Sequence, residues 1–189
     1  MIQLHIEVPI AGFRQSRAQE YAETYTVPPS ATVYRMLLSL IGEWDLYRYC
    51  GTQLAIALLN QPHLSTVIRT FRRFKSKEIG DPTNARPDYQ QLLTNIELEQ
   101  AFDHPERIER TGGLSLGESR DLVNAVTRIT DHQSSGQWLI HDHDGMLTLP
   151  YWVDHVGSRG TRWQRYSLSP RDPDYPDPPE LAWTEIQFS

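Results

Sequence analysis

Ile2-Gln3-Leu4-His5-Ile6-Glu7-Val8 opens the chain with apolar residues at every second position. That period belongs to a strand with one buried face, and Pro9 and Gly12 are expected to end it. Val27-Pro28-Pro29-Ser30 then leads into Val33, Met36, Leu37, Leu40 and Ile41, the spacing of a helix with one apolar face. Ser30 reads as its N-cap and Gly42 as its stop. Strand followed by helix, with further strand patterns at 52–59, 122–129 and 162–168, makes this an α+β chain. Trp138-Leu139-Ile140 and Met146-Leu147-Thr148-Leu149 flank Asp144-Gly145, a hairpin signal.

Between the first strand and the helix lies a long polar connection, Phe13-Arg14-Gln15-Ser16-Arg17 through Tyr25. Long loops inside compact domains often carry function. Further on, Arg69-Thr70-Phe71-Arg72-Arg73-Phe74-Lys75-Ser76-Lys77 gathers five positive charges on a chain of net charge −6. Phe71 and Phe74 are interleaved with the cations, as base stacking and phosphate contact require. The alternative is a solvated strand or helix face whose phenylalanines point inward. Segments 64–74 and 92–102 flank a loop tip containing Gly80, Asp81-Pro82 and Arg86-Pro87, and could pair as a projecting hairpin. His104-Pro105-Glu106-Arg107 reads as one helical turn.

Arg110-Thr111-Gly112-Gly113-Leu114-Ser115-Leu116-Gly117-Glu118-Ser119 places three glycines within six residues. Glycine permits positive φ and close approach of a ligand to the main chain, and successive amides in such a loop can form an anion-binding concavity. A phosphate-holding loop and a glycine-rich turn between strands both fit this spacing. The run is neither a P-loop nor G-x-G-x-x-G after a strand.

The length, 189 residues, suits one large domain or one domain with an appendage. The acidic balance argues against coating nucleic acid over the whole surface but permits a local basic patch. Cys50 is the sole cysteine, so there is no internal disulfide framework, in keeping with a reducing cytosol. No run of 18 apolar residues or signal-peptide pattern is present, so a membrane setting is not expected. His141-Asp142-His143-Asp144 invites a metal reading, but the neighbouring acids of a strand point away from its histidines, and the Asp-Gly turn is the better account. No metal or cofactor is expected. Metal-free RNA cleavage would need an acid and a base near a 2′-hydroxyl, and His5, Tyr25, Tyr34 and His63 are the available candidates. Gly117-Glu118-Ser119 is not a hydrolase elbow.

Three segments together resemble one family: 21–37, with its Val27-Pro28-Pro29-Ser30-Ala31-Thr32-Val33-Tyr34 run; 86–93, Arg86-Pro87-Asp88-Tyr89-Gln90-Gln91-Leu92-Leu93; and Gly112 through Ser119. They resemble the Cas-five family of the RAMP superfamily, close to its DevS-like branch, which supplies a subunit of type I CRISPR Cascade complexes. The resemblance covers most of residues 1–130. It implies a modified ferredoxin-like or RRM-type antiparallel sheet with a β-hairpin thumb at about 64–102, the glycine-rich loop at 110–119, and a short C-terminal β portion with an acidic, proline-rich tail over 131–189. It further implies a cytoplasmic, non-catalytic subunit that caps the 5′ handle of the crRNA. Its partners would be the large and backbone subunits and, through the complex, target DNA, for defence or for an RNA-guided transposon. The implied RNA contacts are Arg14, Arg17, Tyr25 and Ser30; Arg69, Arg72, Arg73 and Lys75 of the thumb; and Arg110, Gly112, Gly113, Leu114, Ser115, Leu116, Gly117, Glu118 and Ser119. Some relatives process precursor crRNA themselves, so a metal-independent endoribonuclease is the alternative.

Overall fold

The computed structural model describes residues 2–15, 21–72, 78, 80–102, 112–129, 135–154, 160–172, 174–175 and 177–188. Arg17, Arg73, Lys75, Arg110 and the turn expected at 104–107 lie outside the described residues, and Arg72 is described by its backbone alone. Ten strands form one sheet: β1 (Ile2–Ala11), β2 (Tyr21–Ala22), β3 (Gln53–Leu58), β4 (His63–Arg72), β5 (Ala85–Phe102), β6 (Ala125–Arg128), β7 (Gln137–His141), β8 (Leu147–Asp154), β9 (Gly160–Pro170) and β10 (Thr184–Glu185). The main path runs β6-β1-β5-β3-β7-β9-β8, with β10 on β3 and β2 and β4 on β5. Every pairing is antiparallel except the short β2–β5 contact. Among the described residues no helix is long and apolar enough to cross a membrane.

The alternation read in the first residues sets the buried face. Leu4, Ile6 and Val8 stand opposite Gln100, Leu98 and Ile96 of β5, and Ile56 and Leu58 of β3 continue the same rows. The helix α1 (Ser30–Leu40) covers this face with Val33, Met36, Leu37 and Leu40, all buried in one cluster with them. The strand does not stop at Pro9; it continues to Ala11, and Pro9 is passed over in the register between Val8↔Ile96 and Ile10↔Thr94. A proline has no N–H for a ladder, so the pairing skips it instead of ending.

Two local expectations are corrected. Ser30 is not the N-cap: Pro29 occupies that position and no side chain caps the helix. Pro29 brings the chain in with φ −65 and ψ 144, and its carbonyl accepts the amide of Val33 at 3.1 Å, so Ser30 becomes the first helical residue. At the other end Gly42 takes φ +72, and the Glu43 and Gly42 amides return to the Leu38 and Ser39 carbonyls, a Schellman closure. The second correction concerns Asp144-Gly145. The turn forms, with Gly145 N donating to Asp142 O at 3.0 Å, but β7 and β8 do not pair with each other; β9 lies between them. An added Cβ on Gly145 would come within 2.3 Å of the Tyr166 carbonyl. This turn is therefore packed down on β9 instead of joining two neighbours.

The other sheet face holds a smaller cluster. Ala55, Ala57 and Ala101 leave room over the strands that Trp138 and Ala182 fill. Glu99, fully buried among them, pairs with Arg171, whose guanidinium also sits 4.9 Å over the Trp138 ring. The chain end folds back here, with β10 adding to β3. A charge buried with its partner removed is costly, so Arg171→Ala should lower unfolding free energy by about 3–5 kcal/mol. Chemical denaturation would check this; a loss under about 1 kcal/mol would show that the second face does not depend on the pair.

Candidate nucleic-acid interface

The 18-residue β5 leaves the core at its N-terminal end and pairs there with β4, from His63↔Thr94 to Arg72↔Ala85. A hairpin thus forms between β4 and β5, with residues 85–94 as its second arm; residues 96–102 belong to the central sheet. Asn95 marks the junction with φ +57, and the Asn60 amide holds its carbonyl at 2.9 Å. Direct pairing puts Arg69 opposite Asp88, with Ser65, Val67 and Arg86 on the same side. The opposite side carries Leu64, Ile68 and Tyr89, all exposed, and Tyr21 against Tyr89 at 6.1 Å. Alternation therefore puts Arg69 and Arg86 on one face of the hairpin, together with Asp88.

The glycine-rich run folds as a tight loop closed by a single bridge, Ser115 to Leu122. Leu114 and Leu116 are buried in the main core, so these two side chains anchor the loop and only their backbone is available to a ligand. The Asp121 carboxylate holds the loop in place, because its Oδ2 accepts the Gly12 amide at 2.9 Å and the Glu118 amide at 2.8 Å. Gly117 adopts φ +109, and a Cβ there would meet Asp121 Oδ2 at 2.8 Å and the Gly12 carbonyl at 3.0 Å. This is the position where the loop needs glycine.

These elements meet around a cavity of about 410 Å³. Gly12, Phe13 and Arg14 form one side, Ser115, Gly117 and Glu118 another, and Tyr25 with Pro29, Thr32 and Arg35 a third. Arg14 is set by a bridge to Thr24, and the Phe13 amide donates to Thr24 Oγ1 at 2.8 Å. Gln90 of β5 donates to Glu118 Oε1 at 3.0 Å and accepts from Arg120 at 2.6 Å, so the hairpin is latched to the loop. Arg120 in turn pairs with Glu118. Burial raises the Glu118 carboxyl above its usual range, Asp121 adds to this, and Arg69 and Arg14 oppose it. Arg69 is therefore close enough to the cavity to be felt by Glu118.

Of the residues singled out in the sequence, Arg14, Tyr25, Ser115, Gly117 and Glu118 line the cavity, and Arg69 approaches it. Ser30 is buried at 1 % exposure, beside the Tyr166 phenol, and does not point into it. Gly112 and Gly113 instead line a neighbouring hollow of about 490 Å³ with Leu38, Gly42, Glu43 and Trp44, and Ser119 is exposed. Arg35 was not anticipated, although it lines both hollows and donates to the Val153 carbonyl at 2.6 Å. The available signal was its position among the small residues Ala31, Thr32 and Ser39 on one helix face. Trp163, 41 % exposed and 6.4 Å from Tyr25, comes from β9 and had no local signal.

The histidine-aspartate run holds no metal cluster: among the described residues no group of three His, Cys, Asp or Glu side chains is placed to bind one. His141 contacts Gln164 and, at 2.9 Å, Thr184, and burial lowers its pKa. Asp142 is held by Ser167 and by the Asp144 amide, which keep its pKa low.

Gly117→Ala forces a side chain into positive φ and against Asp121, and should cost about 1–3 kcal/mol. Gly113→Ala meets only Leu122 at 3.9 Å and should be close to neutral. Thermal denaturation of the two variants separates them; equal losses would contradict the Asp121 clip.

No family model matches the chain. A protein of Myxococcus xanthus (strain DK1622), described as CRISPR-associated protein Cas5, is 39% identical over 188 residues, covering 87% of this chain and 88% of that protein. Two solved structures share the fold. One, from a CRISPR RNA-guided surveillance complex, superposes with a TM-score of 0.65 at 13% identity, covering 96% of this chain and 95% of that one. The other, a crystal structure of a Cas protein, gives 0.61 at 8% identity over 92% and 95%. Identity at that level over most of both sequences, on a mostly antiparallel sheet with one helix, places the chain in the CRISPR-associated Cas5 family.

Proposed function

We propose that this chain is a non-catalytic RNA-binding subunit of a type I CRISPR surveillance complex, gripping the 5′ handle of the crRNA and contacting the backbone and large subunits. RNA-guided DNA targeting by the assembled complex, in defence or in a transposon, is the resulting activity. One observation carries this reading: the glycine-loop backbone, Arg14, Arg35 and the start of α1 converge on one cavity, with Arg69 at its margin. Backbone amides and guanidinium groups together suit phosphate oxygens, and Tyr25 and Trp163 supply ring surface for a base. The order β6-β1-β5-β3, with α1 over one face, supports reading the core as ferredoxin-like and the β4–β5 hairpin as its thumb. A cytoplasmic setting follows from this assignment.

The alternative, metal-independent cleavage of precursor crRNA, would draw on His5, Tyr25, Tyr34 and His63. Tyr34 is buried, donates to the Leu46 carbonyl at 2.9 Å, and has its pKa pushed up by burial. His5 stands opposite Glu99 in register, on the sheet face that α1 does not cover. This dispersal favours binding over catalysis.

The double variant Arg14→Ala, Arg69→Ala should bind single-stranded repeat RNA about tenfold more weakly, with a salt dependence shallower by about 1.4 log units per log unit of salt. Unchanged affinity and slope would overturn the site assignment. Incubating the purified chain with repeat RNA in EDTA should leave the RNA intact. Site-specific cleavage retained in stringently repurified protein would favour the endoribonuclease.

A further inference from the structure

Glu118 is an acid on a cavity whose other charged lining residues are Arg14 and Arg35. Its carboxylate contacts Arg120 and accepts from Gln90, and it feels the positive charges of Arg14 and Arg69. These groups come from separate parts of the chain: Arg120 and Gln90, which touch the carboxylate, from the loop and β5, Arg69 from β4, and Arg14, on the same cavity, from the segment after β1. The Glu118 backbone is fixed, since Asp121 holds its amide, whereas its side chain is 33% exposed and is held by two other side chains, Arg120 and Gln90.

We propose, resting on the RNA-binding reading above, that the Glu118 carboxylate is an internal stand-in for an RNA phosphate: it occupies the anion position among Arg120, Arg14 and Arg69 in the free chain and yields it when RNA binds. A phosphate presents the same acceptor oxygens to guanidinium donors as a carboxylate does. Two anions cannot share this rim without repulsion, so RNA entry either swings Glu118 aside or protonates it.

The proton accounting gives a sign. Burial and Asp121 already favour the neutral carboxylic acid. An arriving phosphate adds negative charge and favours it further, so binding takes up a proton and strengthens as pH falls towards the carboxylate range. The other charged groups around Glu118 are Arg14, Arg35, Arg69, Arg120 and Asp121, with the Tyr25 phenol on the same cavity. The arginines keep their charge throughout that window. Glu118 acts here as a determinant of affinity, restraining capture of RNA at neutral pH and keeping four guanidinium groups from gathering unrelated anions.

The test uses the full-length chain and a fluorescently labelled single-stranded RNA of the neighbouring CRISPR repeat, by anisotropy at low salt, at pH 7.5 and 5.5. Glu118→Gln, which keeps the Gln90 contact and the backbone clip, should bind about three- to fivefold more tightly than the native chain at pH 7.5. At pH 5.5 the difference should narrow, because burial and Asp121 raise the native carboxyl and a larger share of it is protonated there than at pH 7.5. Glu118→Ser serves as a second variant and should behave alike. Equal or weaker binding by both variants at pH 7.5, with native binding intact, overturns the proposal and leaves the RNA-binding reading standing. Failure of all three folded proteins to bind the RNA overturns both.

Discussion

One strand has two employments, and the rest of the molecule is arranged around that constraint. Residues 98–102 of β5 lie between β1 and β3 in the core and its pairing with β1 runs on to Leu93, while residues 85–94 pair with β4. The core half must be apolar on the side that α1 covers, which Ile96 and Leu98 satisfy. The hairpin half need not be, and its alternation sets Arg86 and Asp88 on one side and Tyr89 on the other. The change of role falls at Asn95, whose positive φ lets the strand turn without breaking, and Asn60 fastens that point by bonding both its carbonyl and the Glu97 amide. Because the strand is continuous, the position of the hairpin is fixed by the packing of the core.

The cavity depends on a second, much smaller contact. A single carboxylate, Asp121, receives amides from Gly12 and Glu118 and so joins the end of β1 to the glycine-rich loop. Burying a carboxylate is tolerable when charge-assisted hydrogen bonds replace its water. Gly117 makes the approach possible by having no side chain where Asp121 and the Gly12 carbonyl converge. Gln90 then ties the hairpin to the same loop. The site is thus assembled from four chain segments held by a handful of polar contacts over an apolar base of Leu114 and Leu116. The Glu118 carboxylate among the arginines gives that assembly a built-in competitor for its own ligand.

The C-terminal strands extend the architecture instead of standing apart. β7 pairs with β3, so the sheet runs on without a break, and β8 contributes Pro150 and Val153 to the cavity wall. The buried pair of Glu99 and Arg171, with the ring of Trp138, closes the face that the helix leaves open.

Much of the local structure was legible in order of residues. The alternation at Ile2–Val8 and the spacing from Val33 to Leu40 identified β1 and α1, because period alone decides which side chains share a face. The glycine run and the basic segment were recognisable as features in search of a shape, and the resemblance of three segments to Cas-five proteins gave them one. Other things were beyond local reading. Ser30 looks like a cap but is buried, because Pro29 already fixes the entry of the helix. Asp144-Gly145 looks like a hairpin, yet β9, arriving from later in the chain, takes the place between β7 and β8. Asp121, Gln90 and Trp163 carry no signal of their own. Their importance lies in distant partners, 109 positions away for Asp121 and Gly12. The sequence by itself determined which residues are apolar, periodic or free to turn, since those are properties of the residue and its neighbours. Only the tertiary structure decided which loop faces which arginine, because that depends on strand order, and strand order is settled by long-range packing of the whole sheet.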